Sequence, residues 1–124
     1  MQALNQLFMF SMAVNDMSRS KDFYENKMGF KVTTDYGQGN THWVSLELPG
    51  KGTSITLTTA HENMKPGSMK LYIATPDIQE AHNQLKSVKP SDVTDDLYGP
   101  GSGVKWFSVN DPDGNQLLVA EAKK

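Results

Sequence analysis

Cysteine is absent from this 124-residue chain, which excludes disulfides, thiol nucleophiles and thiolate metal sites. A dominant charge is also missing, because 12 basic and 14 acidic residues are interspersed and leave a net charge of −2. No basic patch marks a nucleic-acid surface. The apolar run from Leu7 to Val14 is interrupted by Ser11 and too short for a bilayer, and no Lys or Arg precedes it as in a signal peptide. We therefore expect a cytoplasmic protein that binds neither nucleic acid nor membrane.

The most informative feature that is present is an internal repeat. Residues 36–57 (YGQGNTHWVSLELPGKGTSITL) match residues 98–119 (YGPGSGVKWFSVNDPDGNQLLV), with one-residue slips at the glycine-rich loops. Upstream, residues 10–16 correspond to residues 71–77, and both stretches end on Asp. A repeat of about sixty residues predicts two copies of one supersecondary unit, neither of which buries its apolar face alone. We expect the function in the groove where two concave faces meet.

Hydrophobic alternation and turn residues predict a β-α-β-β-β unit in each copy. The copies form one domain over residues 1–124, with module one at about 6–60, a linker at 61–68 and module two at about 69–122. The predicted strands cover residues 7–14, 30–36, 43–48, 54–59, 69–75, 92–97, 105–109 and 116–122.

Capping residues predict where the two helices begin and end. Asp16 or Ser18 can cap the first helix, and Gly29 is placed to stop it. Asp77 with Glu80 forms a capping pair for the second helix. The apolar stripe predicted for that second helix consists of Ile78, Ala81, Leu85 and Val88.

Strand alternation separates a core face from a mixed face. In the first strand the large apolar set should pack under the helix, and this set is Phe8, Phe10, Met12 and Val14. The mixed faces combine two tryptophans, a tyrosine, a lysine and hydroxyls, a composition typical of a small-molecule site. Trp43 and Trp106 are repeat partners that could hold a planar ligand, or instead fill a closed core. Tyr36 and Tyr98 begin the two glycine-rich loops. Their side chains could act as lids over a ligand, or they could simply tether the ends of the loops.

Three segments together resemble the vicinal oxygen chelate superfamily, which contains glyoxalase I, bleomycin-resistance proteins, fosfomycin-resistance enzymes and extradiol dioxygenases. The segments are residues 14–24 (VNDMSRSKDFY), 27–30 (KMGF) and 107–115 (FSVNDPDGN). The resemblance implies an α+β fold of two βαβββ modules, whose curled sheets surround a shared cavity. It also implies pairing of modules within one chain or between two chains, and we expect a homodimer.

The family's enzymes hold a divalent metal with four side chains, one from the first and one from the last strand of each module. The resemblance places Met9, Thr56, Lys70 and Leu118 at those positions. None of these is a His, Gln, Glu or Asp, and the set is neutral or cationic. We therefore expect no metal, no cofactor and no metal-assisted chemistry.

The leading hypothesis is metal-free binding of a small organic molecule, similar to drug-sequestering bleomycin-resistance proteins and compatible with antibiotic resistance. Because Lys70 offers an ammonium group where relatives hold a metal, we expect a neutral or anionic aromatic ligand. No catalytic residue is assigned. The candidate ligand-binding residues are Met9, Trp43, Ser45, Thr56, Lys70, Tyr72, Tyr98, Trp106 and Leu118.

Two alternatives stay open at this point. One is a glyoxalase-like lyase or dioxygenase relative that uses Lys70, Tyr72 or Glu47 as acid or base, or takes a metal from another residue set. The other is an interaction module that binds a protein. The three histidines share no ligand spacing, so they are interpreted as surface or edge residues; they are His42, His61 and His82.

Overall fold

The computed structural model describes residues 3–50, 52–88, 93 and 105–122. The chain divides into two compact units, unit 1 (Met1–Pro66) and unit 2 (Gly67–Lys124). Each unit contains one curled mixed sheet with helical structure between its first two strands, which confirms the predicted α+β class.

Unit 1 carries a four-stranded sheet, sheet A, with the order β1-β4-β3-β2. β1 runs parallel to β4, while β3 is antiparallel to both β4 and β2. A π-helical turn at Phe23–Lys27 continues α1, and a 3-10 turn covers Gly39–Thr41. The elements are β1 (Met9–Ala13), α1 (Met17–Asp22), β2 (Lys31–Tyr36), β3 (Trp43–Glu47) and β4 (Ser54–Thr58).

Unit 2 carries sheet B, whose order is β5-β7-β6, with β5 parallel to β7 and β6 antiparallel to it. Val93 forms an isolated antiparallel bridge to Val109 of β6. The rest of the strand predicted at 92–97, the loop at 99–103 and Tyr98 lie outside the described residues. The elements are β5 (Lys70–Thr75), α2 (Ile78–Val88), β6 (Trp106–Asn110) and β7 (Gln116–Glu121).

The core of unit 1 lies between sheet A and α1. Met12 and Val14 are buried as predicted, and Phe10 is half-buried. The prediction for Phe8 is wrong, since its side chain is 69% exposed. Phe8 precedes β1, and only its backbone joins the sheet: its carbonyl accepts from Ser54 N at 3.0 Å, while its side chain stays uncovered.

The first helix changes type where two aromatic residues follow each other. Asp16 caps α1 by accepting from Arg19 N at 3.2 Å. Phe23 and Tyr24 are both buried, with ring centroids 4.9 Å apart and perpendicular planes. The wider π turn, closed by Met28 N donating to Phe23 O at 2.9 Å, lets adjacent large side chains enter the same core.

The core of unit 2 lies between sheet B and α2, which Asp77 caps by accepting from Glu80 N at 3.1 Å. Ile78 and Leu85 are buried as their stripe predicts, whereas the prediction for Val88 is wrong, since this last residue of α2 is 41% exposed. His82 is also buried, and its ring lies 4.8 Å from that of Phe107. Its interpretation as a surface or edge residue is therefore wrong: the helical period places it one turn from Ile78 on the covered face.

A buried polar turn fixes the start of β7. The Asp111 carboxylate accepts from Asp113 N at 3.0 Å, from Asn115 N at 2.8 Å and from Asn115 Nδ2 at 2.7 Å. The Asn115 side-chain oxygen accepts from Met69 N at 2.8 Å, just before β5. The turn thus ties the end of β6 and the start of β7 to the residue that leads into β5.

Candidate functional site

The register of sheet A aligns hydroxyl side chains across all of its strands. Ser11 of β1 is the partner of Thr56 in β4, Thr56 pairs with Ser45 in β3, and Ser45 pairs with Thr34 in β2. We call these four residues the hydroxyl row. Its two central members are buried, at 4% exposure for Ser45 and 7% for Thr56, while its outer members are exposed.

The centre of the hydroxyl row is linked to Met9. Ser45 Oγ lies 3.1 Å from Thr56 Oγ1, and Thr56 Oγ1 donates to Met9 Sδ at 3.5 Å. Because β1 pairs Met9 with Ser54 and Ser11 with Thr56, Met9 lies on the same face as the row. Three of the predicted site residues therefore form one connected group.

An aromatic pair stands beside the hydroxyl row. Trp43 and Tyr36 are cross-strand partners, with ring centroids 5.8 Å apart and planes tilted by 46°. Trp43 is half-buried, whereas Tyr36 is 66% exposed. The face of sheet A thus combines two neighbouring aromatic rings with a row of hydroxyls, and it can receive a planar molecule that carries oxygen atoms.

The corresponding face of sheet B has a different chemistry. Tyr72, Leu118 and Ser108 form the row equivalent to Ser11, Thr56 and Ser45, and Trp106 lies beside it opposite Ala120. Tyr72 is 73% exposed, whereas Trp106 and Leu118 are half-buried. The predicted site residues of unit 2 that are described, Lys70, Tyr72, Trp106 and Leu118, share this face.

Lys70 lies beside an aromatic ring. Its Nζ is 5.8 Å from the centroid of the Tyr72 ring, a distance at which a cation is attracted to the ring face. Among the described residues of unit 2, no carboxylate pairs with Lys70 within 4.0 Å. An exposed ammonium group next to an exposed phenol ring can attract an anion that also stacks on the ring.

The positions at which the family's enzymes hold a metal do not suit one here. In unit 1 the Thr56 hydroxyl is bonded to the Met9 thioether and to Ser45, and neither atom is an anionic ligand. In unit 2 the corresponding side chains are an ammonium and a hydrocarbon, Lys70 and Leu118. Hard divalent cations prefer carboxylate and amide oxygens, and borderline ones such as zinc also take imidazole, so this donor set fits neither kind.

Elsewhere in the part of the chain that is described, no group of three or more His, Cys, Asp or Glu side chains is arranged to hold a metal ion. A shallow cavity of about 190 Å³ opens in unit 1, lined by Gly29, Lys31, Glu47, Leu48 and Pro49. None of the predicted ligand-binding residues lines it. No helix among the described residues is long and apolar enough to span a bilayer.

A charged cluster stabilises the edge of sheet A. Asp35 of β2 accepts from Lys21 Nζ at 2.7 Å and lies 2.6 Å from His42 Nε2. The Lys21 hydrogen bond, reinforced by the one to His42, holds the pKa of Asp35 below its ordinary value of 3.8. The Asp35 hydrogen bond in turn raises the pKa of Lys21 above 10.5. The cluster joins α1, β2 and the residue before β3.

Sequence reasoning missed two members of the hydroxyl row, Ser11 and Thr34. Strand parity places Ser11 on the mixed face, but only the register shows that it lies level with Thr56. For Thr34, an irregularity in pairing between Val32 and Thr34 shifts the parity of β2. The Thr33 hydroxyl, which donates to Ser45 O at 3.2 Å, marks the position of this irregularity.

Comparison with known proteins defines the class to which this fold and these faces belong. The family model of the Glyoxalase/Bleomycin resistance protein/Dioxygenase superfamily matches residues 6–119. The chain belongs to this superfamily, which confirms the resemblance carried by its sequence segments.

Individual relatives cover nearly the whole chain. TnmS3, an antibiotic binding protein from Streptomyces sp. CB03234, is 26% identical with a TM-score of 0.83, over 99% of this chain and 100% of that one. A superfamily member from Sphaerobacter thermophilus DSM 20745 is 25% identical with a TM-score of 0.81, over 98% and 100%. The uncharacterized protein YetH of Bacillus subtilis (strain 168) is 26% identical over 95% of this chain and 99% of its own length.

Proposed function

We propose that this protein binds a small organic molecule with a planar aromatic group, and that binding requires no metal. The observation that carries the proposal is the face of sheet A, where buried hydroxyls lie beside the Trp43–Tyr36 pair. A flat ring can stack on the aromatic pair while its oxygen substituents bond to the hydroxyls. Superfamily membership and the likeness to an antibiotic binding protein support this proposal.

The face of sheet B favours an anionic or neutral ligand over a cationic one. Lys70 contributes a positive charge next to the Tyr72 ring, and Trp106 and Leu118 add apolar surface. An acidic aromatic compound satisfies both features, because its ring stacks and its anion pairs with the ammonium. The proposed role is sequestration of such a compound, an antibiotic among the candidates.

The experiment titrates the protein with polycyclic aromatic acids, their uncharged amides and aromatic antibiotics, and follows the fluorescence of the two tryptophans. We expect saturable quenching by aromatic acids. The Lys70→Ala variant should weaken binding of an acid by about 1–3 kcal/mol, the scale of a charged hydrogen bond, and leave binding of the amide nearly unchanged.

Lys27→Ala is the matched control, because it removes the same charge from the end of the first helical segment and not from a sheet face. It should leave both affinities unchanged. Equal weakening by both variants would show that only net charge matters. Absence of quenching by every aromatic compound would overturn the proposed function.

We also propose that two copies of the chain associate. Several large apolar side chains are exposed just before the first strand: Leu4 at 95%, Leu7 at 64% and Phe8 at 69%. Three such side chains exposed close together in the sequence of a small protein support a protein–protein contact.

A further inference from the structure

We infer that Thr56 recognises a carbonyl oxygen of the bound molecule, and that Met9 occupies the position of that oxygen in the free protein. The inference rests on the proposed function and specifies its ligand. The bound compound is one whose ring system carries a ketone or an equally strong acceptor. The argument depends on where the hydroxyl protons of the hydroxyl row are directed.

Each hydroxyl has a single proton to donate. The 3.1 Å contact between Ser45 and Thr56 allows either hydroxyl to donate, and we infer the arrangement in which Thr56 gives its proton to Met9 Sδ at 3.5 Å and Ser45 donates to Thr56. The two protons therefore point along the row in one direction, from β3 through β4 towards β1. The final acceptor in this series of hydrogen bonds is the thioether sulfur of Met9.

A thioether is a weak acceptor, and Thr56 is buried. Its oxygen accepts from Ser45, but its proton has only a long contact to sulfur in place of a hydrogen bond to water. A carbonyl oxygen that took the place of the sulfur would accept at a distance of about 2.7–2.8 Å and form a stronger bond. The Ser45 hydroxyl would reinforce it, because it already donates to the oxygen of Thr56.

Met9 is suited to move aside. It is the first residue of the edge strand β1, and 38% of it remains exposed. Its unbranched side chain has three rotatable bonds and adapts readily to a new environment. Rotation towards solvent frees the Thr56 proton without disturbing the backbone pairing of β1 with β4.

Thr58 provides an internal comparison, because it lies on the same strand and face and is equally buried at 7% exposure. Its hydroxyl donates to Ala60 O at 3.4 Å and accepts from Ala60 N at 3.0 Å. Both partners are backbone groups and cannot rotate away. Of these two threonines, only Thr56 has an acceptor that a ligand can displace.

The experiment compares two soluble probes, 9-oxofluorene-4-carboxylate and fluorene-4-carboxylate. They share a ring skeleton and a carboxylate, and they differ in a carbonyl group against a methylene group. Isothermal titration calorimetry gives the ratio of their affinities for each variant. We expect the wild-type protein to bind the ketone about 3–10 times more tightly, which corresponds to one net hydrogen bond.

The variants test the assignment of donor and placeholder. Thr56→Val should reduce the ratio to about one, while Thr56→Ser should retain it, because the donor is removed in one and kept in the other. Met9→Leu should raise the affinity for the ketone about two- to threefold, since no hydrogen bond to sulfur has to be broken first. Thr58→Val is the matched control and should keep the wild-type ratio.

The outcomes separate this inference from the function on which it rests. If both probes bind wild type equally well, the inference is overturned and small-molecule binding stands. A Thr56→Val variant that still prefers the ketone overturns it as well. If neither probe binds at millimolar concentration while other aromatic acids quench the tryptophan fluorescence, the inference is overturned and the proposed function stands. If no aromatic compound binds, both are overturned.

Discussion

The Asp35 side chain, on the edge strand β2, connects that strand to two other parts of unit 1. Its carboxylate bonds to Lys21 on α1 through one oxygen and to His42 through the other. All three side chains are partly exposed, so water screens these interactions. The cluster therefore positions the edge of sheet A and contributes modestly to its stability.

The cluster predicts a specific dependence of stability on pH. Because the pKa of Asp35 is lower in the folded protein than its ordinary value, the unfolded chain takes up the proton first, and acid favours unfolding. The contribution of Asp35 is therefore complete well above pH 3.8 and disappears as the pH falls through the lowered pKa. At the alkaline end the contribution of Lys21 is lost as the pH rises through its raised pKa, above 10.5.

Asp35→Asn should lower the free energy of unfolding at neutral pH by about 0.2–1 kcal/mol, as measured by urea denaturation at low salt. The difference from wild type should vanish in strong acid and shrink at high salt. Asp22→Asn is the control, because Asp22 accepts from the neutral amide of Asn26 at 2.8 Å. A difference that is independent of both pH and salt would contradict the prediction.

For individual residues, the alternation of side chains along strands was sufficient to place Ser45 and Thr56 on the mixed face of sheet A. It could not show that their hydroxyls touch, or that Met9 completes the chain, since those contacts depend on the register between strands. The Asp35 cluster joins residues that are far apart in sequence and carry no motif. His82 was misassigned because the lack of a ligand spacing says nothing about burial, whereas the helical period places this residue on the buried face.

Turns and helix ends carry most of the local sequence signals at the scale of elements. Asp16 and Asp77 cap their helices as predicted, and every described strand overlaps its prediction to within two residues at each end. The π-helical turn at Phe23–Lys27 was not predicted. This turn accommodates two adjacent aromatic rings in one core, and a regular helical period does not place adjacent residues on the same face.

The turn from Asp111 to Asn115 allows a prediction about the stability of a secondary-structure element. Gly67 and Gly114 both have positive φ angles, of 85° and 98°. A Cβ on Gly67 would lie 2.2 Å from Asp113 O, whereas nothing lies within 4 Å of a Cβ on Gly114. The two glycines therefore separate the cost of backbone strain from the cost of steric overlap.

Gly114→Ala should destabilise the protein by about 1–2 kcal/mol through its left-handed backbone alone. Gly67→Ala should cost about 1–3 kcal/mol more, because the new methyl group forces apart two backbone segments. Thermal and urea unfolding monitored by circular dichroism measure both variants. Equal destabilisation would show that the turn is not held against Gly67 in solution.

For the whole molecule, the three strands described in unit 2 repeat the order of β1, β4 and β3 in unit 1, and the two units differ in surface chemistry. Hydroxyls dominate the mixed face of sheet A, and a lysine with aromatic and aliphatic groups dominates that of sheet B. The repeat predicted the shared topology. The difference follows from individual residues, since Lys70 and Leu118 stand where the first copy has Met9 and Thr56.

Association of two copies is testable by sedimentation equilibrium. We expect a mass of about twice 13.7 kDa for the wild-type protein at micromolar concentration. Phe8→Ser should shift the mass towards that of the single chain, because it removes an exposed apolar side chain while the backbone bond to Ser54 remains.

Val88→Ser is the matched control, as Val88 is 41% exposed at the end of α2. It should leave the mass unchanged. A wild-type protein that sediments as a single chain up to high concentration would contradict the proposed association.

The strand orders have a consequence for synthesis on the ribosome. In each sheet the first strand of the unit pairs with the last one described, β1 with β4 and β5 with β7. A nascent chain that has exposed β1 must therefore wait for β4 before this strand finds its partner, and β5 must wait for β7. Each of these first strands joins its sheet only after its later partner has left the exit tunnel.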